Sequence, residues 1–155
     1  MTIGPCRPAL MAPSAPGAAT EPGGFSSVQE HGERPARRRV THVHRAPFQL
    51  RLRLDLLDTG AATTVLFLLQ PEDADSTRIY TCVLLSAAPG EPLPGPDEVA
   101  AAAAAEERLL AEDLELQAQM ASTGLPLGMR DELHVPADRL GVALRRALDD
   151  FTAAG

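Results

Sequence analysis

Apolar and polar positions alternate strictly across residues 48–56. Phe48, Leu50, Leu52, Leu54 and Leu56 fall on one face, and Gln49, Arg51, Arg53 and Asp55 on the other. A period of two predicts a half-buried strand of an antiparallel sheet. Asp58, Thr59 and Gly60 supply a turn, and the β-branched, apolar run 63–69 predicts a more deeply buried neighbour that pairs with the first strand as a hairpin. A polar connection over residues 70–76 leads to a third strand over 77–86, where Ile79, Thr81, Val83 and Leu85 share one side. Three strands at such short spacing predict a meander.

Past Pro89, Pro92, Pro94 and Pro96 the period lengthens to that of a helix. Pro96 suits a first turn, Asp97 and Glu98 favour the positive end of the helix dipole, and Gly124 is a suitable stop beyond the far end. At roughly 100° per residue, Val99, Leu109, Leu110, Leu116 and Met120 lie within about 60° of Asp113. That places Asp113 near the centre of the apolar face, where a carboxylate is costly unless paired, protonated or bound to a metal. Glu107, Glu112 and Glu115 point elsewhere, and Glu106 shares the stripe two turns away. After Pro136, Leu140, Leu144, Ala147, Leu148 and Phe151 recur at helical spacing and predict a second amphipathic helix. Strands first and helices last imply an α+β fold, an antiparallel sheet packed by C-terminal helices.

Residues 1–39 break the pattern. Pro5, Pro8, Pro13, Pro16, Pro22 and Pro35 with several glycines leave little periodic apolar surface, so this stretch is expected to be a disordered leader, with order beginning near Val40.

The 155 residues suit one domain, and a net charge of -7 argues against a nucleic-acid partner. The basic cluster at 34–39 reads as solvated charge beside Pro35. Cys6 and Cys82 form no CxxC, CxH or CxxH unit, which leaves no disulfide framework or cysteine metal site, and Cys82 inside an apolar run reads as a small buried thiol. Apolar runs are too short to span a bilayer, and the early prolines interrupt any signal-peptide core. A cytoplasmic protein with no membrane association is the expectation. The absence of Lys, Asn and Trp beside abundant Ala and Arg is the bias of a GC-rich genome, so the alanine run 100–105 carries little structural information.

An ordered series of segments then carries a resemblance: His44-Arg45-Ala46-Pro47-Phe48, the strand 49–55, the segment 70–77, the helix around Ala111-Glu112-Asp113-Leu114, and His134-Val135-Pro136-Ala137-Asp138-Arg139. Over about residues 40–153 the chain resembles the C-terminal part of the catalytic domain of Rieske non-heme iron aromatic ring-hydroxylating oxygenases, in their vanillate demethylase-like group. The resemblance implies a partial helix-grip (START-like) domain over residues 40–155. It also implies an active-site Fe(II) held by two histidines and one aspartate, mapping the aspartate onto Asp113. A facial set of this kind leaves open positions for O2 and substrate. The intact family enzyme also carries a [2Fe-2S] cluster fed by a reductase or ferredoxin, and hydroxylates or demethylates an aromatic or similarly apolar small molecule as a mono- or dioxygenase.

The chain departs from that pattern. It holds neither the CxH nor the CxxH unit of a Rieske cluster, and the helix bearing the two iron histidines, which precedes the first strand of the resemblance, is missing. His42 and His44 share one strand face and read either as a metal pair or, more simply, as ordinary partly exposed histidines. His134 reads as a hydrogen-bonded connector, and His31 falls in the leader. No catalytic residue can be assigned. The expectation is therefore a C-terminal fragment of an oxygenase alpha subunit, inactive alone, which supplies the sheet wall of a pocket and one iron ligand and pairs with a complementing oxygenase chain or with itself. The alternative is a helix-grip module that binds a hydrophobic ligand without catalysis. A third reading is an interaction subunit or functionless relic with an exposed apolar sheet face.

Overall fold

The computed structural model describes residues 18–21 by backbone, and 24–34, 36–120, 124–130 and 132–154 in full. Six strands form one antiparallel sheet in chain order: β1 (Ala18–Glu21), β2 (Gly24–His31), β3 (Arg38–Arg45), β4 (Gln49–Leu56), β5 (Ala62–Pro71) and β6 (Thr77–Ser86). Two helices follow, α1 (Pro96–Gln117) and α2 (Arg139–Ala153), the second entered through a 3-10 turn at Pro136–Asp138. This is the expected α+β arrangement. The meander forms because each connection is short and turn-forming, so each strand pairs with the next.

The strands extend further toward the N-terminus than expected. Within the stretch read as a disordered leader, the described residues hold β1, β2 and the start of β3; residues 1–17, with Cys6, lie outside the described residues. β2 is stabilised by register. Phe25 and Ser27 pair with His44 and His42 of β3, and both are buried, at 5% and 0% exposure. Gly24 allows this approach, since a Cβ there would fall on the His44 carbonyl oxygen.

The basic cluster is not merely solvated charge. The Arg37 amide donates to Asp58 Oδ2 at 2.8 Å and its guanidinium reaches Oδ1 at 3.2 Å, which ties the β2–β3 connection to the β4–β5 turn. Arg39 pairs with Glu30 across the β2–β3 ladder at 2.7 Å. That turn needs Gly60, which sits at a φ of 85° with Pro89 Cδ only 2.8 Å from where a Cβ would project.

α1 starts where the sequence predicts. Glu98 accepts a hydrogen bond from the Gly95 amide at 2.8 Å, which satisfies a donor ahead of the first turn. In the approach to α2, Asp138 accepts from the Val135 amide at 2.8 Å, and His134 contacts the Met129 carbonyl at 3.3 Å, the connector role expected of it. No helix among the described residues is long and apolar enough to cross a membrane.

Candidate functional site

The strand registers align one face of the sheet across five strands. Phe25 and Ser27 of β2 sit opposite His44 and His42 of β3. Next come Leu50 and Leu52 of β4, Phe67 and Val65 of β5, and Thr81 and Val83 of β6. α1 packs on β6 and lies over this face, because the cleft between them is lined by Thr81 and Val83 together with Val99, Ala103, Glu106, Glu107 and Leu110. α2 packs on β1 and β2. Burial alternates along β2, with Phe25 and Ser27 enclosed and Val28 44% exposed, so α2 covers the same face. The two helices thus stand over opposite edges of one face. Between them lies the β3–β5 stretch of this face, the trough, apolar at Leu50, Leu52, Val65 and Phe67 and polar at His42 and His44; Val65 and His44 are buried and the others half-buried.

The polar end of the trough is unusual in one respect. Ser27 Oγ, His42 Nδ1 and His44 Nδ1 are sealed from solvent and have no hydrogen-bond partner among the described residues. Each such orphan costs about 1–3 kcal/mol, which is why buried polar groups are nearly always paired. Phe25 stacks on the His44 ring, with centroids 5.3 Å apart and planes inclined by 26°. Burial lowers the pKa of both histidines from the ordinary 6.5, and at His44 a backbone interaction with Pro47 partly offsets the effect. Both rings are therefore neutral at pH 7, and each nitrogen is either a donor or an acceptor.

His42 and His44 were legible in the sequence as a same-face pair. Ser27 and Phe25 were missed, and the signal that locates them is their own two-residue spacing, in phase with the histidines across the ladder.

Asp113 stands elsewhere. The sheet-facing stripe of α1 runs Val99, Ala103, Glu106, Leu110 and continues in line to Asp113, but the last positions outrun the sheet. Asp113 is exposed, as are Leu109 at 56%, Leu116 at 66% and Met120 at 65%. The expectation that its carboxylate points into a core is thus corrected. α1 packs chiefly on the edge strand, and residues 111–120 along and beyond its second half are exposed. Cys82, expected buried, is also exposed, because it lies on the outer face of the edge strand, opposite Leu66.

The histidines on β3 lie three strand spacings, about 14 Å, from the strand that carries α1. Among the described residues no three His, Cys, Asp or Glu side chains converge as a metal set. The described residues therefore do not by themselves compose the two-histidine, one-carboxylate site that the resemblance implies, and Asp113 is not brought together with His42 and His44.

A cleft of about 160 Å³ separates α1 from β6, with an apolar wall and the carboxylates of Glu106 and Glu107 on its helix side. The neighbouring stretch of the face is apolar at Leu50 and Leu52, and the unpaired polar atoms at its β2–β3 end are sealed from solvent. Comparison with curated proteins gives no match, and neither does comparison with solved structures. A family model, the C-terminal domain of vanillate O-demethylase oxygenase, matches residues 13–154. That span includes the six-stranded sheet and both helices, and the chain belongs to the vanillate O-demethylase oxygenase C-terminal domain family.

Proposed function

We propose that this chain is the substrate-holding wall of an oxygenase catalytic domain. Its sheet face and two helices receive an aromatic or similarly apolar small molecule, and Asp113 is its contribution to an iron site. The observation that carries the reading is the shared placement of α1 and α2 over opposite edges of one sheet face, which leaves Leu50, Leu52, Val65 and Phe67 as an apolar floor between them. Apolar contact supplies about 25 cal/mol per Å² of surface removed from water, enough for a ring-sized ligand to bind without charge pairing.

Asp113 suits the assigned role by position. It continues the sheet-facing stripe one turn past Leu110, and its carboxylate is exposed and has no ion pair among the described residues. Iron would supply the O2 chemistry, a reductase or ferredoxin would supply the electrons, and a complementing oxygenase chain would supply the two histidine ligands. The chain by itself is inactive as an oxygenase.

The test is turnover of vanillate with Fe(II) and a reductase. The purified chain alone should give no demethylated product, and product from it alone refutes the reading. Adding a polypeptide that carries the CxH and CxxH units and the iron-histidine helix should restore product with the native chain and not with Asp113→Ala. A second reading is favoured by the same trough: a module that binds a hydrophobic ligand without catalysis. It predicts saturable binding of an apolar dye that is indifferent to Asp113→Ala, and no product in any combination.

A further inference from the structure

β6 is a free edge of the sheet, and one hydrogen bond tells which way its backbone groups point. The Glu72 amide donates to the Ser76 carbonyl at 3.0 Å, and this pair continues the β5–β6 ladder one step past Pro71 and Thr77. Bonded pairs recur every second residue in an antiparallel ladder, so Arg78, Tyr80, Cys82, Leu84 and Ser86 direct their N–H and C=O groups at β5. Thr77, Ile79, Thr81, Val83 and Leu85 direct theirs outward. None of these outward groups has a hydrogen-bond partner among the described residues. The edge is also unguarded, although sheet edges are commonly blunted by Lys, Pro, a bulge, an inward charge or a short strand. β6 runs ten residues in unbroken register with no Lys or Pro, and its single charge, Arg78, lies on the outer face and pairs with Glu72 at 2.7 Å. The opposite edge differs: β1 has four residues, and α2 packs on it.

We propose that two copies of this chain join β6 to β6 as antiparallel neighbours about a two-fold axis at Thr81. In this register Thr81 pairs with the partner's Thr81, Ile79 with the partner's Val83 and Thr77 with the partner's Leu85, so every outward N–H meets an outward C=O. A slip of one residue sets outward groups against groups already bonded to β5. A slip of two leaves outward groups at the ends unmatched. The side chains agree with the same register, because Ile79, Thr81 and Val83 become β-branched cross-strand neighbours on one face. Charge agrees as well: Arg78 falls opposite the partner's Leu84 and about 20 Å from the partner's Arg78, so no like charges meet.

The pairing uses the sheet edge and stands apart from the small-molecule reading, which uses the face. Light scattering of the full chain across a dilution series should give twice the 16.4 kDa of one chain, falling toward 16.4 kDa at the dilute end. Thr81 is exposed, and Thr81→Lys sets two ammonium groups against each other on the axis, so this variant should keep native circular dichroism and scatter as a single chain. In a Cys6→Ser, Cys82→Ser background, Thr81→Cys should cross-link under mild oxidation. Thr77→Cys should not, because its two copies stand about 27 Å apart. Hydrogen exchange needs no variant: the amides of Ile79, Thr81 and Val83 should be protected in concentrated solution and lose protection on dilution, while those of Tyr80 and Cys82 stay protected. Single-chain mass at every dilution, a dimer that survives Thr81→Lys, or cross-linking of Thr77→Cys as readily as of Thr81→Cys overturns the pairing. So does a chain that is single by itself and pairs only with an added oxygenase polypeptide.

Discussion

Ser27 and His42 face each other across the β2–β3 ladder, and neither Ser27 Oγ nor His42 Nδ1 has a hydrogen-bond partner among the described residues. Two groups able to bond each other are thus held one cross-strand spacing apart without doing so. The sheet fixes their backbones, and both atoms are sealed from solvent.

That enclosure has a pH signature. Burial depresses the pKa of His42 and His44 in the folded chain below 6.5, so the unfolded chain takes up protons first as pH falls. Their contribution to stability is fully present above 6.5 and is lost as pH drops through the window beneath it. Their ladder neighbours, Phe25 and Leu50 for His44 and Ser27 and Leu52 for His42, do not titrate there. Thermal melts of the native chain should shift down as pH falls from about 7.5 to about 5.5, roughly one unit either side of the ordinary histidine value. The double variant His42→Gln, His44→Phe should flatten that shift.

Asp58 acts over a lower range. The Arg37 backbone amide and then its guanidinium hold the Asp58 carboxyl below its usual 3.8. A depressed carboxylate stabilises above its unfolded value and loses that contribution as pH falls through its folded value. Asp58→Asn should therefore lower the melting temperature at neutral pH, with the difference from the native chain closing in strong acid.

Phe25 anchors β2 by burying its ring against His44. Phe25→Ala should cost about 3 kcal/mol in urea unfolding, as large-to-small changes at enclosed sites do. Amides of β2 should also lose protection from hydrogen exchange before those of β5.

Gly24→Ala tests the approach of β2 to β3 more locally. The added Cβ meets the His44 carbonyl oxygen, backbone that cannot rotate away. The variant should lose the Gly24–Arg45 pairing and shift the His44 ring signals in NMR, with the β4–β5–β6 amides unchanged.

The elements with the strongest period were legible. β6 begins and ends where the sequence places it, β4 lacks only Phe48, which the Ala46–Pro47 turn holds out of the strand, and α1 starts at Pro96. β2 and β3 were less visible because Ser27, His42 and His44 hold inward positions there and carry no apolar signal until the register sets Ser27 against His42 and Phe25 against His44. Asp113 shows the converse error. A helical wheel places a residue on a face, but it does not say how far along the helix a neighbour extends, and α1 runs past the one strand it packs on.

The proposed holding of a small aromatic molecule on the sheet face between α1 and α2 is open to a titration of isotopically labelled chain with vanillate, each residue followed by NMR. Saturable shifts are expected at His42, Leu50, Leu52 and Val65, which share the helix-bearing face. Shifts confined to Leu68, Tyr80 and Leu84 on the outer face, or no shifts at all, would contradict it.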